Sequence, residues 1–226
     1  MELPDTSTAL AGAVQELASQ VASALRSGDH LGVLGRVVSV AGPDRDDDVA
    51  LAAVRVLGAD ALLPSVLLGR PVAPEDWAVF EQAASAFPPA AGARPASVWS
   101  HWAMRRTLGE DGPEPGTRWL DAAPWQVLTR QLAVLAALAV PGADCGVGRL
   151  AAGRPVDVAR GFVRAVRRRD WLQAAGAGRW LSLIDDVPES LGLAEGLEFV
   201  NLMAGDDPRV ALQLRAAQLL RTGALV

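Results

Sequence analysis

The chain has 226 residues, half of them hydrophobic, with a formal net charge of −5, one Cys and two His. That length and apolar content exclude a disordered chain and allow a core that needs no disulfide or metal staple. A single Cys excludes an internal disulfide and a Cys-based zinc site, and the acidic total argues against a general nucleic-acid binder.

Lys and Tyr are absent, and Ile184 and Asn201 are the sole Ile and Asn. The missing residues share AT-rich codons, so the composition points to a high-GC bacterial genome, and abundant Arg carries no chemistry by itself. Its placement does. Residues 1–100 hold six Arg against twelve acids, 149–180 hold eight Arg against two Asp, and 181–226 hold three Arg against seven acids. The start, Met1-Glu2-Leu3-Pro4-Asp5, lacks the basic segment of a secretory signal. The longest strictly apolar run, Leu132–Val140, falls short of the roughly 20 residues a bilayer span requires. The expectation is a cytoplasmic protein with no membrane span.

Helical spacing dominates. Leu10, Val14, Leu17, Val21 and Leu25 recur at steps of three and four, predicting an amphipathic helix from the Asp5–Thr8 cap signals to Gly28. Residues 30–41 have the β-branched content of a strand, but a short helix fits their surroundings better. Asp46-Asp47-Asp48 open a helix through Val49, Ala52, Ala53, Val56 and Leu57, and another short one runs over 62–68. Pro74, followed by Glu75 and Asp76, starts a helix carrying Trp77, Phe80, Ala84 and Phe87. The Pro- and Gly-rich stretch 88–95 is a breaker. A helix over 96–108 ends at Gly109, and a polar loop covers 109–116. One long apolar helix, capped by Asp121, is expected from Trp125 to Leu138, stopped by Pro141-Gly142. Residues 142–155 read as an irregular connector, followed by helices over 156–168, 171–185, 189–203 and 208–222. Strand-like alternation is almost absent.

The fold expected is all-α, with nine or ten helices: an irregular multi-helix bundle, with a short solenoid-like, helix-paired C-terminal part. The breaker suggests an N-terminal helical segment over 1–87 and a helical core over 96–226, or one continuous domain. Gly176, Trp180 and Pro188 have the spacing of the second half of a tetratricopeptide repeat. Arg160, Arg164 and Arg167 occupy positions where that repeat wants a large, a small and an aromatic residue, so no family is assigned.

Five features bear on function. Arg160, Arg164, Arg167 and Arg168 form a basic stripe, with Ala159, Phe162, Val163 and Val166 expected on the opposing side of the same helix. With Trp171 and Trp180 nearby, this stripe is the candidate partner-binding surface for an acidic protein. Neutralisation by the acidic C-terminal helices is the plainer account of the same stripe. Trp99, His101, Trp102, Arg105 and Arg106 suggest a Trp-lined small-molecule site, with His101 as a base or anion contact. Asp46, Asp47 and Asp48 could hold Mg²⁺ in such an enzyme, although acids in a first helical turn also satisfy free N–H groups and the dipole. The Gly-rich run 146–154 lacks the preceding strand and the Gly-Lys-Ser/Thr ending of a phosphate loop. Cys145 matches no nucleophile motif.

The sequence therefore favours a non-catalytic interaction or adaptor protein, requiring no cofactor, that grips an acidic partner through its Arg-rich helix. The alternative is a helical enzyme or ligand-binding protein built around His101 and Arg105. DNA binding through the basic helix is a third reading, disfavoured by the acidic total.

Overall fold

A computed structural model describes residues 6–29, 32–35 and 46–223, without the side chains of Thr6, Asp46 and Asp47. The fold is an all-α multi-helix bundle, 72% helical, with twelve α-helices and no strand among the described residues. The helices are α1 (Thr6–Ser27), α2 (Asp46–Leu57), α3 (Leu63–Leu67), α4 (Pro74–Ala86), α5 (Pro95–Thr107), α6 (Arg118–Asp121), α7 (Trp125–Val134), α8 (Gly146–Ala152), α9 (Pro155–Arg167), α10 (Trp171–Leu181), α11 (Leu193–Met203) and α12 (Pro208–Thr222). Single 3-10 turns cover Gly58–Leu62, Ala136–Leu138 and Glu189–Leu191.

The apolar stripes set the packing. On α1, Leu17, Ala18, Val21 and Leu25 are buried, and these residues pack against α2 on one side and α12 on the other. The long helices form a row: α9 lies against α10, α10 against α12, α12 against α1, α1 against α2, and α2 against α4. Helix α7 packs across α9 and α10.

Two apolar clusters result. One gathers α1, the α2–α3 region and α4; the other gathers α5, α7, α9, α10 and α11. Helix α12 belongs to both: Leu212, Ala216, Leu219 and Leu220 enter the first, while Val210, Leu214 and Ala217 enter the second. The breaker at 88–95 does not divide the clusters: Met104 of α5 also enters the first, and the chain returns to it at α12.

Small residues permit the closest helix contacts. A Cβ on Gly161 would overlap the Thr129 side chain of α7. One on Gly176 would sit 2.9 Å from Ala133 Cα and from its carbonyl oxygen. Both α9 and α10 thus approach α7 through glycine.

Several elements depart from the sequence reading, each for a local reason. The expected helix from Trp125 to Leu138 stops at Val134. The Leu132 carbonyl accepts Trp180 Nε1–H at 2.7 Å and the Leu135 N–H at 3.1 Å, and the chain tightens into a 3-10 turn. Asp121 does not cap α7, because it ends the separate turn α6 and Pro124 occupies the N-cap. The expected irregular connector 142–155 contains α8, whose Gly146 N–H donates to Glu114 Oε1 at 2.8 Å. The polar loop 109–116 thus satisfies the start of that helix. The helix expected over 171–185 ends at Leu181, and 189–203 divides at Gly192, whose φ of 57° interrupts the helical path. Of the short helix expected over 30–41, only 32–35 are described, with a helical turn at 33–35.

One helical stretch, Asp48–Leu67, is long and apolar enough to cross a membrane by length and composition. It bends at Gly58, where φ is 64°, carries Arg55, and is 61% buried within the fold. It packs as a core segment of the bundle.

Candidate functional site

Helix α9 is the most sharply two-sided helix of the chain. Val158, Ala159, Phe162 and Ala165 are buried, while Arg160, Arg164, Arg167 and Arg168 are exposed. Its first turn is anchored by Arg154, which donates to Asp157 Oδ2 from Nε at 2.8 Å and from Nη2 at 2.6 Å, and to the Ala123 carbonyl at 2.9 Å. That last bond fixes the segment leading into Trp125.

All four Arg line one open groove of about 780 Å³. Its apolar surface comes from Trp125, Val156, Val163, Pro188 and Leu191; Val163, expected on the buried side, is 42% exposed and lies among the Arg instead. The Arg164 guanidinium stands 5.8 Å from the centre of the Trp125 ring, a cation–π distance. Arg160 pairs with Asp157 at 3.5 Å. Arg164, Arg167 and Arg168 have no carboxylate partner among the described residues, and no acid lines the groove. The acidic C-terminal helices therefore form no ion pair with this face among the described residues.

The other two residues of the expected surface lie elsewhere. Trp171 packs edge-on against Phe199, with ring centres 6.2 Å apart, beyond the lining of the groove. Trp180 is a correction: it is 3% exposed, in the core, and its indole N–H is satisfied by the Leu132 carbonyl. A buried Trp with a partner for its N–H is a packing residue.

The His101 region forms a separate concavity of about 350 Å³ that shares no lining residue with the Arg groove. Trp102, Arg105 and Glu110 border it with His101. His101 Nε2 lies 3.1 Å from the Ala84 carbonyl. A carbonyl only accepts, so Nε2 carries the proton. Burial pushes the His101 pKa below its ordinary value, despite that backbone bond. Arg105 pairs with Glu110, while Arg106 stacks over Trp102 at 5.2 Å and donates to the Asp144 carbonyl at 2.7 Å. Trp99 does not line this concavity. It is fully buried, edge-on to Trp102 at 5.2 Å, with its N–H directed to the Gly116 carbonyl.

Asp48 is exposed in the first turn of α2, and the side chains of Asp46 and Asp47 lie outside the described residues. Among the described residues, no group of three or more His, Cys, Asp or Glu is placed to hold a metal. Cys145 is buried, and that burial raises its thiol pKa. The Arg groove, the His101 concavity and Asp48 do not converge.

Two polar constructions escaped the sequence reading. Arg179, fully buried on α10, donates from Nη1 to Asp60 Oδ1 at 2.7 Å and to Gln213 Oε1 at 2.9 Å, and from Nε to the Ala139 carbonyl at 3.0 Å. Gln213 Nε2 closes the circuit on Asp60 Oδ2 at 2.6 Å. Asp76, also buried, accepts the N–H groups of Val33, Leu34 and Gly35 at 2.8–3.1 Å. A visible signal existed for the first: Arg179 follows the small-residue run Ala174–Gly178, where a charge has no solvent-facing stripe to join.

No family model, curated protein or solved structure matches the chain.

Proposed function

We propose that this chain is a non-catalytic helical interaction protein of a bacterial cytoplasm, and that its α9 groove receives an acidic segment of a partner protein. The observation that carries this reading is the set of Arg164, Arg167 and Arg168, without carboxylate partners among the described residues, around an apolar groove. A partner carboxylate gains charge-assisted hydrogen bonds from guanidinium groups. An apolar side chain between Trp125, Val163 and Leu191 gains buried area where an interface concentrates its binding energy. Structural need does not account for this clustering, since isolated surface Arg contribute little to stability.

Fluorescence anisotropy tests the reading, with a labelled synthetic helical peptide carrying Glu at i, i+4 spacing and Leu anchors. The full chain binds this probe, and binding weakens as salt rises. Arg164→Glu with Arg168→Glu weakens it by about tenfold or more, the scale of two lost interfacial charge pairs. A matched probe with Lys in place of Glu does not bind. Equal affinity for both probes, or an unchanged affinity in the double variant, overturns the reading.

A further inference from the structure

The acidic, apolar chemistry that the groove fits is present on the molecule itself. Between 185 and 207 the sequence holds seven acidic residues and no Arg, while 154–169 holds six Arg and one Asp. These two opposite blocks lie side by side. Phe162 of α9 reaches Gly196 of α11, Phe162 and Leu197 both border Gly178 of α10, and Pro188, Ser190 and Leu191 form a wall of the Arg groove. Yet the ion pairs of these blocks among the described residues are local: Arg154 and Arg160 with Asp157, and Arg209 with Asp207.

Helix α11 is also unusual in what it exposes. Phe199 is 46% exposed and Leu202 73%, with Met203 beside them. Glu195 and Glu198 are exposed, each four residues before Phe199 and Leu202 respectively, so acids and large apolar residues share one helical face. Trp171 flanks it through its ring contact with Phe199.

We propose that the α11 face of one copy docks into the α9 groove of a second copy, giving a self-complementary dimer. Glu195 and Glu198 of each copy meet the unneutralised Arg of the other, and Phe199 and Leu202 cover Trp125, Val163 and Leu191. Because groove and helix are neighbours, a two-fold axis between them satisfies both pairs at once, as an isologous interface requires. This inference rests on the reading that the groove accepts acidic, apolar segments, and it names the segment. Self-association then occupies the surface that an external partner must reach, so partner binding and dimerisation compete.

Sedimentation velocity of the full chain over a concentration series, at low and high salt, tests the proposal. Wild type shifts from monomer to dimer with concentration, and salt opposes the shift. The Arg164→Glu/Arg168→Glu variant and the Glu195→Arg/Glu198→Arg variant each stay monomeric, because each places like charges across the interface. Mixed together, the two associate again, since every cross-interface contact is then matched. These substitutions are at exposed positions, and circular dichroism verifies that both variants stay folded. A wild type that remains monomeric overturns the dimer while leaving peptide binding to the groove standing. A dimer indifferent to both variants overturns this interface. A mixture that fails to associate overturns the charge pairing.

Discussion

Arg179 and Asp60 lie 119 residues apart in sequence and meet at 2.7 Å with almost no access to solvent. They join the 3-10 turn after α2 to α10, and Gln213 adds α12. A buried guanidinium requires its counter-charge, because an unpaired ion in the interior is far costlier than the pair.

Asp60→Ala should therefore destabilise the fold by about 3–5 kcal/mol, the usual cost of breaking a buried pair. Removing the whole circuit with Asp60→Leu, Arg179→Met and Gln213→Leu should cost much less than Asp60→Ala alone. Urea unfolding monitored by circular dichroism measures both. A triple variant that loses more than the single variant would show that the circuit stabilises the fold in its own right.

Asp76 does for the turn at 33–35 what an N-cap does within a helix, but from a different helix. Asp76→Ala removes the carboxylate that accepts the buried Val33 and Leu34 N–H groups, at about 1–3 kcal/mol for the first such loss. The expected sign is a lower unfolding midpoint together with faster amide exchange at Val33 and Leu34. Asp76→Asn, which retains one acceptor oxygen, should fall between.

The glycine contacts of α7 are a third handle. Gly176→Ala places a methyl group against the Ala133 backbone, which cannot rotate aside. Overpacking of this kind costs about 1–3 kcal/mol, and it outweighs the gain in helix propensity from Gly to Ala, about 1 kcal/mol. Gly12, with open space around its Cβ position, is the control: Gly12→Ala should raise the thermal midpoint.

The pH dependence follows from His101. Its folded pKa lies below the ordinary 6.5, because burial disfavours the imidazolium. Just below the ordinary value the unfolded chain binds more protons than the folded chain, so stability falls as pH drops through that range. His101→Gln, whose amide can still donate to the Ala84 carbonyl, should flatten this part of the profile. Thermal midpoints recorded from about pH 7.5 down to about pH 5, a range that brackets an ordinary His, provide the comparison. Parallel slopes for the two proteins would exclude His101 as the source.

The legible parts of the molecule were those governed by local periodicity. The stripe on α9 follows from spacing within one helix, and the structure keeps Arg160, Arg164, Arg167 and Arg168 on one exposed side. The groove was not legible, since Trp125 and Leu191 reach it from segments far from α9 in sequence. Trp180 shows the same limit in reverse. Its nearness to the basic helix along the chain suggested a surface, but the Leu132 carbonyl from α7 satisfies its indole within the core. That bond also ends α7 early, so one tertiary contact accounts for both a misplaced side chain and a misjudged helix length.

The double membership of α12 bears on how the chain acquires its structure during synthesis. Helix α1 is synthesised well before α12, so the apolar side that meets Leu212 and Leu219 waits for that helix to be made. Until α12 is made, that side of α1 lacks its native cover, and contacts of such long sequence separation form slowly. A core closed across such a sequence separation leaves apolar surface exposed for longer than one closed between neighbouring helices.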